Sequence, residues 1–293
     1  MLSRNLFLVV SLGVVSIHAT AEEVTQSSRT SVARNIAYRG DSDDPLVNQL
    51  CRLDLFYPTS INGDGNADYP TIVWLHGGGL TGGERSIPRG FVQNKIAIAT
   101  ADYRLSPKVR SEVCIDDAAA AVAWVLDHIQ DYGGSKDRVF LSGHSAGGYL
   151  TSMVGLNAKY LAAHKRKPSD LAGLIPLSGH AITHFNVRKE RGIDGRQPVV
   201  DQMAPLYHVL SKPLPPILLI TGDREKEMLG RYEENAYFAR MLKVAGHSEV
   251  ELRELKGFDH SGMVAPASSM VLNFVQRVDS KNQTPAETSK QTN

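Results

Sequence analysis

Little in this sequence is extreme, and each thing it is short of narrows the reading. Charge of one sign is lacking: 32 Lys and Arg against 31 Asp and Glu leave a formal net charge of +1. No electrostatic footprint therefore points to nucleic acid or to an anionic membrane. Beyond the N-terminus no stretch is apolar enough to span a bilayer. Only two cysteines occur, Cys51 and Cys114, a count that fits two core thiols as well as one bridge. Internal repeats and Gly/Ser-rich linkers are lacking too, which argues for one domain in a chain of 293 residues whose 42% hydrophobic content can bury a sizeable core. The turn Asn62-Gly63-Asp64-Gly65-Asn66 has neither the ligand spacing nor the closing glutamate of an EF-hand and reads as a loop. His180 and His184 stand four apart, a metal-ligand spacing, but no third ligand accompanies them. No metal or organic cofactor is expected.

What is there begins with an export signal. Arg4 opens the chain with a positive charge, Leu6 to Ile17 is apolar but short for a span, and Ala19-Thr20-Ala21 puts small residues at the cleavage position. Residues 1–21 read as a signal peptide, with the mature chain starting near Glu22 in the periplasm or outside the cell and free of the membrane after cleavage. Residues 22–279 read as one domain. Residues 280–293 lack apolar side chains and read as a disordered tail.

Between these ends short apolar strands alternate with helices. Strands are expected at Val32 to Tyr38, Cys51 to Tyr57, Thr71 to Leu75, Ile96 to Ala101, Val139 to Leu141, Leu171 to Leu177, Ile217 to Ile220 and Val250 to Leu255. One helix opens at Asp116 and Asp117 and stops at Gly133; others follow Ser145, run around Arg231 to Val244, and carry Val271, Phe274, Val275 and Val278. The alternation predicts an α/β fold, a mostly parallel eight-stranded sheet with helices on both faces.

The chemistry centres on Gly143-His144-Ser145-Ala146-Gly147, which joins an apolar strand to helix-spaced apolar residues. A serine on such a sharp turn needs glycine two residues before and after it, so that helix and strand can approach closely. Ser145 is the candidate nucleophile. Upstream, His76-Gly77-Gly78-Gly79 ends a buried strand, and glycines there let backbone N–H groups approach a developing oxyanion. Gly78, Gly79 and Ala146 are the candidate donors. His260, in a Gly-flanked loop after the last strand, is the candidate general base, because the partners of such a serine run serine, acid, histidine along the chain. His144, inside the turn, reads as a packing residue. The segment Thr221 to Glu227 holds three carboxylates, Asp223, Glu225 and Glu227, any of which could orient the imidazole.

Taken together, HGGG, DYRLSP from Asp102, GHSAGG and the late GFDH resemble the α/β-hydrolase esterases, in particular the hormone-sensitive-lipase-like and acetyl/feruloyl-esterase-like branch. The likeness runs from about Leu53 to Val278. It implies the acid three residues after the glycine that ends its strand, which is Glu225 here, with Asp223 as the loop-tightening residue and the alternative acid. The family residue is usually Asp, often followed by Pro, whereas Lys226 follows here. The implied strand order places Cys51 and Cys114 at the same edge of the sheet and so implies a bridge, which would add ~4 kcal/mol by closing a long loop.

The function implied is a serine carboxylesterase with an acyl-enzyme intermediate. Residues 180–210 are long enough for a small cap, and the lack of a long apolar lid favours short acyl groups, with acetyl or feruloyl esters of polysaccharide among the expected substrates. Arylformamide hydrolysis would use the same triad, and acyl transfer would need an acceptor that outcompetes water. A non-catalytic binding module would usually have lost the serine or the histidine, and both are present. Oligomeric state is not legible.

Overall fold

The computed structural model describes residues 29–59, 68–91 and 95–283. The expected signal peptide, the turn at 62–66 and residues 284–293 of the expected tail lie outside the described residues. Eight strands form one sheet: β1 (Arg29–Ala37), β2 (Arg52–Thr59), β3 (Tyr69–Leu75), β4 (Ala97–Ala101), β5 (Gly134–His144), β6 (Gly173–Leu177), β7 (Ile217–Gly222) and β8 (Val250–Leu255). Their order is β1-β2-β4-β3-β5-β6-β7-β8. β2 runs antiparallel to both β1 and β4, and every other pairing is parallel.

β3, β4, β6 and β7 are buried at every position and β5 from Val139 to Gly143, so these central stretches are nearly all apolar, whereas β1, β2 and β8 towards the sheet edges also carry polar residues. The period of two shows instead in which core each side chain enters. Val73 and Leu75 of β3, Val139 and Leu141 of β5, and Ile217 and Leu219 of β7 join the layer made by α2 (Ser111–His128), α3 (Ala146–Leu156) and α6 (Arg231–Val244). Ile72 and Trp74, Phe140, and Leu218 and Ile220 point the other way, onto Val271, Phe274, Val275 and Val278 of α7 (Val264–Gln283). α7 continues beyond Ser280, where the sequence suggested a disordered tail.

Shorter helices supply what periodicity did not mark: α1 (Pro45–Leu50), α4 (Ala158–Ala162) and α5 (Phe185–Glu190). Each has only five or six residues, too few for an apolar stripe to repeat. Within 180–210, Ala181, Val187, Met203 and Val209 are buried in the main core, and the Tyr149 hydroxyl donates to the Met203 carbonyl at 2.7 Å. Both ends of the segment are thus tied into the core, while residues 191–200 between them are mostly exposed.

α2 starts five residues before the expected Asp116. Its N-terminus is held by the Glu190 carboxylate, which accepts from the Ser111 N–H at 3.0 Å and the Ser111 hydroxyl at 2.7 Å. Asp117 has a different task. Wholly buried, it accepts from Arg39 Nε at 2.7 Å, Arg104 Nη2 at 2.8 Å and the Arg104 N–H at 3.0 Å. Gly133, at φ 90°, ends the short 3-10 turn that follows α2.

The expected bridge does not form: Cys51 and Cys114 are buried free thiols. Their side chains are turned to different neighbours, Cys51 to Tyr38 and Cys114 to the Arg110 carbonyl at the start of α2, and a disulfide requires the two to face each other. Burial pushes the thiols up to about 11 and about 12, so both stay protonated at neutral pH.

Asp117→Asn should leave two guanidinium groups short of their carboxylate. A loss of about 3 kcal/mol is expected, read as a lower urea midpoint at unchanged m value.

Candidate active site

Parallel register brings the C-terminal ends of β3, β5, β6, β7 and β8 to one edge of the sheet, where such folds place their ligands. Leu75, the last residue of β3, pairs with Gly143 of β5. One strand therefore releases the His76–Gly79 loop beside the point where the other releases Ser145.

Ser145 has φ 57° and ψ −115°, a conformation that side chains rarely adopt. It is held by its own N–H, which donates to the Leu177 carbonyl at 2.8 Å, and by the tight entry into α3. The flanking glycines are a steric requirement. A Cβ on Gly147 would drive into the Leu75 carbonyl oxygen, and one on Gly143 would lie 2.6 Å from the Gly147 backbone.

Ser145 Oγ lies 2.8 Å from His260 Nε2. On the far side of the ring, His260 Nδ1 meets Glu227 Oε1 at 2.5 Å. Sequence reasoning preferred Glu225, then Asp223, and the geometry corrects both. Asp223 Oδ2 accepts from the Gly257 N–H at 2.6 Å and Oδ1 from the Glu225 N–H at 3.0 Å. The loop thereby turns, with the N–H groups of Lys226 and Glu227 both donating to the Asp223 carbonyl. That turn leaves Glu225 exposed and swings Glu227 inward, where it is buried. Asp223 does tighten the loop, but for an acid two residues further on.

Glu227 is over-determined. Oε2 accepts from the Ser178 hydroxyl at 2.6 Å and the Gly222 N–H at 3.2 Å, and Oε1 from the Met228 N–H at 2.8 Å in addition to His260. Burial alone would raise this carboxyl, but the hydrogen bonds from His260, Ser178 and Met228 outweigh it and hold the group at about 2. An ionised carboxylate only accepts, so Nδ1 carries the ring proton and Nε2 is left free to accept from Ser145.

Sequence reasoning missed two supports of this arrangement. Ser178, at φ 46°, stands at the end of β6 with its hydroxyl also 3.1 Å from His260 Nδ1. His144, expected only to pack, places Nε2 2.7 Å from the His260 carbonyl oxygen and its ring 4.6 Å from the His260 ring. Burial first, then the neighbouring His260, pushes His144 down to about 4, so at neutral pH it is an uncharged prop.

Gly78 at φ 110° and Gly79 at φ 65° carry the loop over the serine. Among the described residues none accepts a hydrogen bond from the N–H groups of Gly78, Gly79 or Ala146. The Gly78 carbonyl is turned away, accepting from the Thr81 and Gly82 N–H groups. DYRLSP, which had no assigned role, supports this loop: the Tyr103 ring stacks on His76 at 4.3 Å and its hydroxyl donates to the His76 carbonyl at 2.8 Å. Asp102 accepts from the Arg85 N–H at 2.5 Å and from its guanidinium.

A cleft of about 690 Å³ is lined by Phe185, Arg188, Leu229, Arg231 and, next in sequence to Glu227, Met228 among others. It abuts the glycine loop, since a Cβ on Gly79 would lie 3.1 Å from the Phe185 ring. His180 also lines the cleft, with His184 packed against it at 5.0 Å, but protein groups occupy them. His180 bonds Glu234 through Nδ1 at 3.0 Å and Arg231 through Nε2 at 2.9 Å, and His184 Nδ1 accepts from the Asn186 N–H at 3.1 Å.

The chain is similar to known esterases. Residues 53–175 match the BD-FAE family model. Esterase LipC of Mycobacterium tuberculosis is 26% identical over 281 residues, 85% of this chain and 67% of LipC. The structure of esterase B from Lactobacillus rhamnosis superimposes with a TM-score of 0.68 at 22% identity, covering 86% of this chain and 88% of that one. The chain belongs to the α/β-hydrolase esterases. Within them, the carboxylic ester hydrolase LipN of M. tuberculosis is 32% identical over 225 residues, 67% of this chain, which spans 58% of LipN. Among this esterase's described residues no helix is long and apolar enough to cross a membrane.

The depressed Glu227 sets an acid limb on stability. Its ionised form stabilises the fold fully above the ordinary carboxyl range near pH ~4.3, and this contribution is lost as pH falls through about 2. Urea unfolding of the wild type should therefore weaken more steeply between pH ~5 and pH ~2 than that of Glu227→Gln, by ~2 kcal/mol across the window. Parallel curves would contradict the assignment.

Proposed function

We propose that this esterase is a serine carboxylic-ester hydrolase that works through an acyl-enzyme on short-acyl esters. The observation that carries the reading is the continuous relay from Ser145 Oγ through His260 to the buried, ionised Glu227. In the first half-reaction Ser145 Oγ attacks the ester carbonyl carbon while His260 Nε2 takes the hydroxyl proton. The carbonyl oxygen gains the electron pair and is received by the N–H groups of Gly78, Gly79 and Ala146, each worth ~3 kcal/mol in the transition state. Collapse expels the alkoxide, which leaves as an alcohol with the proton from His260. Water then repeats the sequence on the acyl-serine, releasing the acid and restoring Ser145.

Glu227 steadies the imidazolium formed in both halves and fixes the productive tautomer. The sequence offers no long apolar lid such as long-chain substrates would call for, which supports short acyl groups. An export signal at residues 1–21 would place the enzyme outside the cytoplasm, where acetyl or feruloyl esters of polysaccharide are accessible substrates.

Initial rates on p-nitrophenyl acetate, butyrate and octanoate should fall with chain length, and Ser145→Ala should abolish them. Glu227→Gln should lower kcat on the order of 10³–10⁴-fold. Glu225→Gln should stay within about twofold of wild type, as expected of an exposed side chain away from the reacting atoms. Collapse in the Glu225 variant with an active Glu227 variant would reverse the assignment, and a wild type inert on all three esters but active on an aryl formamide would replace ester by amide chemistry.

A further inference from the structure

The cleft wall contains two arginines for which the ester chemistry has no use. Arg188 on α5 and Arg231 at the start of α6 are each only 3% exposed, and both line the cleft. Among the described residues neither has a carboxylate within ion-pair distance. Arg188 donates from Nη1 to the Gln197 carbonyl; its Nε is sealed without an acceptor, and Nη2 has no acceptor but is not sealed. Arg231 donates to the Ser178 carbonyl and to His180 Nε2, and its Nε also lacks an acceptor.

The carboxylate nearest at hand is already committed. Glu234, the one acid among the described residues lining the cleft, accepts from His180 Nδ1 at 3.0 Å and from the Ala181 N–H at 3.0 Å. Arg196 at the rim pairs with Asp194 at 2.9 Å. A buried guanidinium with unspent N–H groups is unfavourable until an anion pairs with it, and its planar fork matches a carboxylate.

We propose that this cleft binds a carboxylate on the substrate, so that the preferred esters are those bearing a free carboxylate a few bonds from the scissile carbonyl, held by Arg188 with Arg231 behind it. The inference rests on the ester-hydrolase reading above. The neighbours set the cleft near the reacting centre: Phe185 of the cleft meets Gly79, Met228 adjoins Glu227, and Arg231 grips the Ser178 backbone. Half-esters of dicarboxylic acids and acylated hydroxybenzoates are the chemical classes that fit.

Two matched pairs test it, one for each side of the ester: mono-(4-nitrophenyl) adipate against 4-nitrophenyl hexanoate, and 4-carboxyphenyl acetate against phenyl acetate. After correction for alkaline hydrolysis, at least one anionic ester should exceed its neutral partner in kcat/KM by ~tenfold or more. That ratio should fall to near one in Arg188→Met and be partly kept in Arg188→Lys. A ratio within one preparation is insensitive to a loss of folded protein, and if the Met variant fails to fold, the wild-type and Lys ratios decide. Hydrolysis of the neutral esters with both ratios at or below one overturns the inference and leaves the esterase reading intact. If no ester is turned over, that reading falls, and calorimetric titration with adipate decides the site alone. Binding weakened ~tenfold in Arg188→Met upholds it, and no binding to the wild type overturns it.

Discussion

The site depends on one close approach of backbone to backbone. α3 begins against the end of β3, with Gly147 over the Leu75 carbonyl and Gly143 wedged beneath both. Only residues without a Cβ fit there, and the approach forces Ser145 into its left-handed conformation at the mouth of the sheet. Leu75 is also the residue before the His76–Gly79 loop. One contact thus sets the proposed nucleophile and the proposed oxyanion donors in relation to each other, and the parallel pairing of Leu75 with Gly143 makes their spacing a matter of sheet register rather than of loop conformation.

Around this rigid centre, buried polar groups fix the parts that sheet register cannot. Tyr103 and Asp102 hold the loop bearing the glycines, Asp102 through Arg85, which in turn reaches Asp54 at 3.1 Å. His144 and Ser178 hold His260 from its backbone and its ring side. Each of these groups is satisfied by a specific partner, which is what allows polar side chains this deep in the fold to orient a catalytic ring instead of loosening it.

How much of this could be read from the chain depends on how local the signal was. The elbow, the glycine loop and the late histidine are written in consecutive residues whose chemistry demands them, and strand spacing foretold a mostly parallel eight-stranded sheet. Position of the acid was not local. Three carboxylates follow β7, and the choice between them is made by Asp223 capturing the Gly257 N–H, 34 residues further along the chain. The family pattern pointed to Glu225 because it counts residues along the loop, whereas in this chain the turn closed by Asp223 brings Glu227 to His260. A related failure befell the cysteines: strand order puts residues at an edge but says nothing of which way a thiol turns on a helix, and Cys114 faces its own helix start. α2 was drawn too short because its cap comes from Glu190, 79 residues on from Ser111.

That cap carries a consequence for how the enzyme can diverge. Glu190 closes the short helix that presents Phe185 and Arg188 to the cleft, and the same carboxylate anchors α2, whose Asp117 ties down the ends of β1 and β4. Shifting α5 to admit a different substrate would therefore tug on the load path of the whole sheet edge. The loop that follows, with Gly192 and Gly195 and no such tether to α2, is the mechanically independent part of the wall. Changes of specificity that spare the fold have room to occur there, while α5 is constrained by stability as much as by chemistry.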